Sequence, residues 1–554
     1  MEPRRVSATR NIVFKTKIIF RILAAACVIH SAVAQDVLFP DSGLDAAIRD
    51  ALQKPSGTLT TQDLLTLTNL DASNRKISDA TGLENAPNLT ALKLFHNNLT
   101  DFSVPAELTN LAALDVSFNA ITNFFVPPNL TNLTTLNLAD NRLTELVLPG
   151  NLSGLTNLNF EDNGLTFFKL PSFMTRMVAL DAGFNSLTNL IVPNGITNLS
   201  ALLGSGNLLT NFTLPVDVTG LKSLDLHINN LGALIIPPSL NALTNIDLDE
   251  NQLARFSLFA GMTNLVLLDL SFNSLTNVIL PGDFENLFDL NLSFNQFTEL
   301  NLPPGLTKLS RLRLRANQFA SFTLRDDLAA LTYLDISDCP LTDLSLPGNL
   351  NQLTTLNLAK DNLANLTLPL EMTNLTAANL TENELTNVVL PPDLFRLQSL
   401  NLSGNELANL ALPSGMTNLT GFFVTGNNFT ILTLPPDMIQ IRELGFLANP
   451  LTAVVLPNTL ETVLADTIAQ LQDQGILVFT YPLAPQIVRP RPLLGAFQFG
   501  ILGPPGNYSV LASTNLSTWM ELDVVSNPLG AINFTDETSH NPQRFYRVAR
   551  VADP

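Results

Sequence analysis

Three arginines at alternate positions, Arg311, Arg313 and Arg315, stand in a chain whose formal net charge is −19. Leu312 and Leu314 separate them, so on an extended strand the leucines enter a core while the three guanidinium groups share the opposite face. A guanidinium presents its donors as a planar fork that matches a carboxylate or a sulfate. Tyr333 lies 22 residues beyond Arg311, and Asp335 the same distance beyond Arg313. If residues at that spacing lie side by side, Arg311 faces Asp289 and Tyr333, and Arg313 faces Asn291 and Asp335. Arg315 has only Ser293 and Ser337 beside it, which makes it the arginine without a lateral partner. The expected ligand-binding set is therefore Arg311, Arg313, Arg315, Tyr333 and Asp335, suited to a uronate, a sulfate or an acidic peptide. The competing reading is that neighbouring acids neutralise the arginines.

Asp225, Asp247 and Asp269 follow one another at the same spacing, with Asp249 beside them. Strand neighbours stand about 4.8 Å apart, so these carboxylates form a stripe that would attract calcium or a cationic partner, or would simply stay solvated. Chemistry beyond binding has little to work with. His96 and His227 are six repeats apart, roughly 29 Å, too far for a dyad or a shared metal. No zinc spacing and no nucleophile motif such as G-x-S-x-G occurs. Gly204-Ser205-Gly206 belongs to a repeat turn and not to a phosphate loop, and Cys339 sits at a structural position. Neither a catalytic residue, a metal site nor a cofactor is expected, and the chain reads as no enzyme.

The element that must position these residues is a repeat. In the frame L-x-x-L-x-L-x-x-N-x-L, asparagine returns every 22 residues from Asn97 to Asn449, which makes seventeen consecutive turns without insertion or deletion. Cys339 and Asp361 replace it in two of them. Self-similarity of this kind is the signature of a leucine-rich-repeat solenoid. Around Asn141, Leu133, Leu136, Leu138 and Leu143 point inward, and the alternation of Leu136 with Leu138 marks a short strand. The asparagine carboxamide both donates and accepts, so it can satisfy backbone groups that the turn buries, whereas an ionised Asp361 can only accept. The second half of each unit, as in Leu143-Thr144-Glu145-Leu146-Val147-Leu148-Pro149, alternates with period two before a proline. It predicts an extended or β convex side without helices. The expected fold class is thus a β-rich solenoid with a parallel concave sheet, helical caps and a C-terminal antiparallel β domain.

Residues 1–34 have the basic start, apolar core and Ala32-Val33-Ala34 exit of a secretory signal peptide. Losing their six basic residues and Glu2 would move the net charge from −19 to about −24. So acidic a chain avoids nucleic acid, and Asn, Thr or Pro interrupts every later apolar run, so no membrane span is expected. Asp41-Ser42-Gly43-Leu44 opens an amphipathic helix in an N-terminal cap at 35–66, and the repeats fill 67–460. Asn458 with Glu461 reads as the capping box of the helix in a C-terminal cap at 461–482, where Gly475 stops the helix and Ile476 to Tyr481 form a strand. A proline-rich linker at 483–492 leads to a β-sandwich-like module at 493–554, whose core would come from Trp519, Phe534, Phe545 and Tyr546.

The stretch Phe39-Pro40-Asp41, Leu44, Ala47-Ile48 and Leu52, with Asp63-Leu64, Leu70, Ile77-Ser78-Asp79 and Gly82-Leu83-Glu84, resembles the cap and first repeat of bacterial internalin-like proteins. The resemblance implies an exported protein that grips a protein or glycan on its concave sheet. The tail, with Gly506, Tyr508, Val510, Ser513-Thr514, Leu516, Trp519 and Arg544-Phe545-Tyr546-Arg547, resembles a C-terminal β module of large exported proteins of environmental bacteria. The leading expectation is a secreted or cell-surface, non-enzymatic scaffold for a protein or polysaccharide ligand. The alternative is a structural envelope or matrix component anchored by the C-terminal module. Neither the pattern nor the resemblance names the ligand or an oligomeric state.

Overall fold

The computed structural model describes residues 35–538 and 543–551. The leader-like residues 1–34 and His540 lie outside the described residues. From Asn69–Asp71 to Glu443–Gly445, short parallel strands stack into one concave sheet. Each residue pairs with its equivalent 22 positions on, as Leu92 with Leu114 and Leu290 with Leu312. The residue at the strand centre, a leucine in most turns, is buried from Leu70 to Phe422 and its two neighbours face outward, so the period-two pattern within a unit becomes a continuous core across units.

The convex side is extended, as the sequence predicts. Short parallel strand pairs form there, including Asp101–Ser103 with Asn123–Phe125 and Asn365–Thr367 with Asn387–Val389. The proline that follows stops the strand and opens a tight turn, in which Leu108 N–H donates to the Pro105 carbonyl at 3.2 Å. Helices occur at the ends of the array. Ser42–Leu52 is capped by Asp41, whose carboxylate accepts from the Gly43 and Leu44 N–H groups and also from Ser78 N–H of the first repeat.

The asparagine ladder links every turn to its neighbours. Asn141 Nδ2 donates to the carbonyls of Val116, Leu138 and Ala139, and its Oδ1 accepts from Ile121 N–H at 2.9 Å. Each carboxamide thus satisfies buried groups of its own turn and of the preceding one. At Asp361 one oxygen accepts from Cys339 N–H at 2.8 Å, while Oδ2 is buried without a hydrogen-bond partner. Burial, with the charges of Asp338 and Asp335, pushes its carboxyl up to about 7. Cys339 is buried and free, its thiol pushed up to about 12 chiefly by burial.

The C-terminal region departs from expectation in three places. Asn458 and Glu461 form no capping box: Asn458–Leu460 is a 3-10 turn, and the helix runs Ala465–Asp473 without a side-chain cap. The segment expected as a linker, 483–492, instead supplies the strand Gln486–Leu493, antiparallel to Ala496–Leu502. Prolines are tolerated because this is an edge strand whose register shifts between Val488 and Arg491. Two three-stranded antiparallel sheets then pack around Phe499, Ile501, Tyr508, Val510 and Phe534, with Phe497 and Tyr546 against them. Trp519 and Phe545 lie outside that core. Trp519 follows a loop and donates from Nε1 back to the Leu516 carbonyl.

Candidate ligand surface on the concave sheet

The outward residues of the concave strands are spared from packing, and the array sets them in columns. Arg311–Arg313 lies between Asp289–Asn291 and Tyr333–Asp335 in the expected register. The ion pairs do not follow that register. Arg313 Nη2 reaches diagonally to Asp289 Oδ2 at 2.6 Å, and Asp289 is only 8% exposed, with Oδ1 unpartnered. Burial raises the Asp289 carboxyl in spite of Arg313 and Arg311 beside it.

The expectation that Arg315 lacks a partner is wrong. Its Nε donates to Asp338 Oδ2 at 2.7 Å, and its guanidinium carbon lies 5.4 Å from the centre of the Phe294 ring. Asp338 is one residue beyond the lateral neighbour Ser337, within reach of a long side chain. Arg311, which is exposed, is instead the arginine of the three whose side chain makes no hydrogen bond or ion pair among the described residues. Asp335 is buried. Its Oδ1 accepts from Ser337 N–H, Ser337 Oγ–H and Asn357 Nδ2, while Oδ2 accepts from the Tyr333 hydroxyl at 3.3 Å. It orients Tyr333 and does not itself present a charge to solvent.

Asp225, Asp247 and Asp269 pair strand to strand as a carboxylate row. The Asp247 carboxyl is raised, first by burial and then by its acidic neighbours. Asp249, beside it, is pushed to about 7 by burial, Asp247 and Asp269. His227 enters this row: Nδ1 stands 2.6 Å from Asp225 Oδ1. Burial alone would lower the His227 imidazole, but the Asp225 hydrogen bond and the charges of Asp225, Asp247 and Asp249 outweigh it and raise it.

A third column was not singled out from the sequence. In turn after turn, the residue before the ladder asparagine has a left-handed backbone, with φ of 53° at Phe118, 47° at Phe184, 52° at Ile228, 49° at Phe272 and 55° at Phe294. Phe118, Phe184, Ile228 and Phe272 are exposed. Phe272 and Phe294 stack with centroids 4.1 Å apart, and Arg315 covers the second ring. Phe184 lies across Gly206, where an added Cβ would come within 2.6 Å of the ring, and it meets His227 edge-on. Aligning the sequence on the 22-residue frame and reading the position before each asparagine would have exposed this ridge.

Six copies of the BspA type leucine-rich repeat region match the chain, at residues 92–179, 292–405 and 380–472, and a leucine-rich repeat matches at 264–287. The chain carries leucine-rich repeats. YopM from Yersinia enterocolitica is similar at 28% identity and TM-score 0.57, over 74% of this chain and 86% of that one. A leucine-rich-repeat protein of Leptospira interrogans is similar at 25% identity and TM-score 0.50, over 73% and 98%. The functional domain of InlJ from Listeria monocytogenes is similar at 23% identity and TM-score 0.49, over 76% and 81%. No curated protein matches. Among the described residues, no helix is long and apolar enough to cross a membrane.

Proposed function

We propose that this chain is an exported bacterial binding scaffold, not an enzyme, and that it recognises a protein or polysaccharide on the concave face of its repeats. The observation that carries the reading is the apolar ridge. The fold requires a left-handed backbone before each ladder asparagine, a conformation that Gly206, Gly404 and Gly426 adopt without strain. Phenylalanine or isoleucine there costs backbone strain of about 1 kcal/mol or more, and Phe118, Phe184, Ile228 and Phe272 remain 40–51% exposed. Neither stability nor solubility explains four exposed apolar side chains in that column, whereas contact with a ligand does.

Beside the Phe272–Phe294 stack, Arg311, Arg313, Arg315 and Tyr333 supply fork-shaped donors and a further ring. That combination of aromatic faces and guanidinium groups favours an anionic glycan or an acidic peptide. The test is a glycan array and a peptide array probed with the full chain, repeated with Arg311→Ala/Arg313→Ala and with Phe272→Ala/Phe294→Ala. Both variants should keep the wild-type fold and lose about tenfold or more in affinity, the arginine variant also losing salt dependence. Equal affinity in both variants would remove the concave-face reading, and binding retained by the β module alone would favour the envelope or matrix component instead.

Export rests on the leader-like pattern of residues 1–34. Expressed in a bacterial host with an intact export pathway, the chain is expected to begin at Gln35, as read by mass spectrometry of its N-terminus. A chain that keeps residues 1–34 would overturn it.

A further inference from the structure

Aspartate recurs at the last outward position of the concave strands, and the repeat has a standard way of satisfying it. Asp115, Asp269 and Asp335 each have serine two residues on. In all three the serine Oγ–H donates to the carboxylate at 2.6 Å, and the serine N–H donates to the same oxygen. Asp181 is followed by Gly183, which donates only its N–H, and two adjacent turns put a different side chain in the serine's place. After Asp225 the serine is replaced by His227, and after Asp247 by Asp249.

The exchange places an imidazole and three carboxylates on a two-by-two patch of neighbouring strands, where Asp225 pairs directly with Asp247. One ligand atom from each of Asp225, His227 and Asp247 lies within 4.8 Å of the other two. No lysine or arginine pairs with any of these acids among the described residues, and the Asp249 side chain makes no hydrogen bond there. The Oδ1 atoms of Asp225 and Asp247 accept from the N–H groups of His227 and Asp249, and neither Oδ2 has a hydrogen bond among the described residues.

Substituting hydroxyls by a ring nitrogen and a further carboxylate converts a self-satisfied surface into one with excess negative charge and mixed N/O donors. A solvated acidic surface needs no histidine, and a site for calcium would be built from oxygens alone. A ring nitrogen among carboxylates is the donor set of first-row divalent ions such as zinc. We infer that Asp225, His227 and Asp247, with Asp249 beside them, form a binding site for a zinc-class divalent cation.

This site requires no macromolecular ligand, so it stands or falls separately from the scaffold reading. The full chain, produced without a polyhistidine tag, is titrated with zinc chloride and with calcium chloride by calorimetry, and Tm is followed in parallel. One zinc site per chain is expected, with Tm raised by zinc and with calcium bound at least tenfold more weakly. His227→Ala and Asp247→Asn should each weaken zinc about tenfold or more, while His96→Ala leaves it unchanged. Absence of saturable zinc binding, or undiminished binding in His227→Ala, would overturn the inference. Calcium bound more tightly than zinc would also overturn it, leaving an oxygen-only acidic stripe.

Discussion

Replacing Asn229 with leucine is expected to destabilise the solenoid by about 3 kcal/mol, although leucine is close to asparagine in volume and the site is buried. The asparagine Nδ2 donates to the carbonyls of Gly204 at 3.0 Å, Leu226 at 3.0 Å and His227 at 3.2 Å, and Oδ1 accepts from Leu209 N–H at 3.1 Å. Leucine fills the space and satisfies none of them. A buried N–H and at least two carbonyls then lose their partners, each at a desolvation cost of about 1–3 kcal/mol, part of which relaxation recovers. Because Gly204 and Leu209 belong to the preceding turn, the damage crosses a repeat boundary, and stacked repeats depend on such interfaces. Urea unfolding followed by circular dichroism should show the midpoint drop, and the Leu209 amide should exchange faster than in the wild type. Asn211→Leu, at an exposed convex position, is the control and should shift stability by less than about 0.5 kcal/mol. A wild-type midpoint for Asn229→Leu would remove the ladder as a source of stability.

The ladder was legible in the sequence because it depends on one residue type at one fixed interval, and so was the concave register. The convex strands were legible for a similar reason, since period-two alternation ending in proline leaves few alternatives to an extended backbone. What could not be read were contacts that break the interval. Lateral neighbours lie 22 residues apart, but Arg313 pairs 24 residues back with Asp289 and Arg315 pairs 23 residues forward with Asp338. An arginine side chain is long enough to span the diagonal, so charge and reach decide its partner, not strand register. His227 was legible as a histidine but not as a member of a cluster, because its neighbours arrive from two turns and from the replacement of a serine. In the tail, prolines at Pro490 and Pro492 argued for a linker, and only the topology shows that Gln486–Leu493 is an edge strand with no ladder bonds to lose on its outer side.

Asp361→Asn should have the opposite effect, a gain in stability that grows with pH. Asp361 occupies a ladder position and is 4% exposed, with Oδ1 on Cys339 N–H and Oδ2 buried without a partner. At the asparagine ladder positions the second atom is Nδ2, which donates to two or three carbonyls; a carboxylate oxygen cannot, and only a protonated carboxyl replaces one of those bonds. Burial therefore holds the folded-state carboxyl up to about 7 against an ordinary value of 3.8. The folded protein keeps a proton that the unfolded chain releases, so the Asp361 contribution is fully present below pH 3.8 and is lost as pH rises through about 7. At about 1.4 kcal/mol per pH unit, the loss between pH 5.5 and pH 8 comes to about 2 kcal/mol. Asparagine carries no titrating group and restores the donor, so the gap between variant and wild type should be about 2 kcal/mol larger at pH 8 than at pH 5.5. Both pH values lie above the sequence pI of about 4.5, where vanishing net charge would bring precipitation. Asp181, Asp247, Asp249 and Asp289 are raised in the same direction, so the wild type and the variant share a residual decline with pH, and the difference between them isolates Asp361. A difference independent of pH would mean that Asp361 is ionised in the folded state. A variant less stable than the wild type would mean that the ladder at this turn has been rebuilt around the carboxyl.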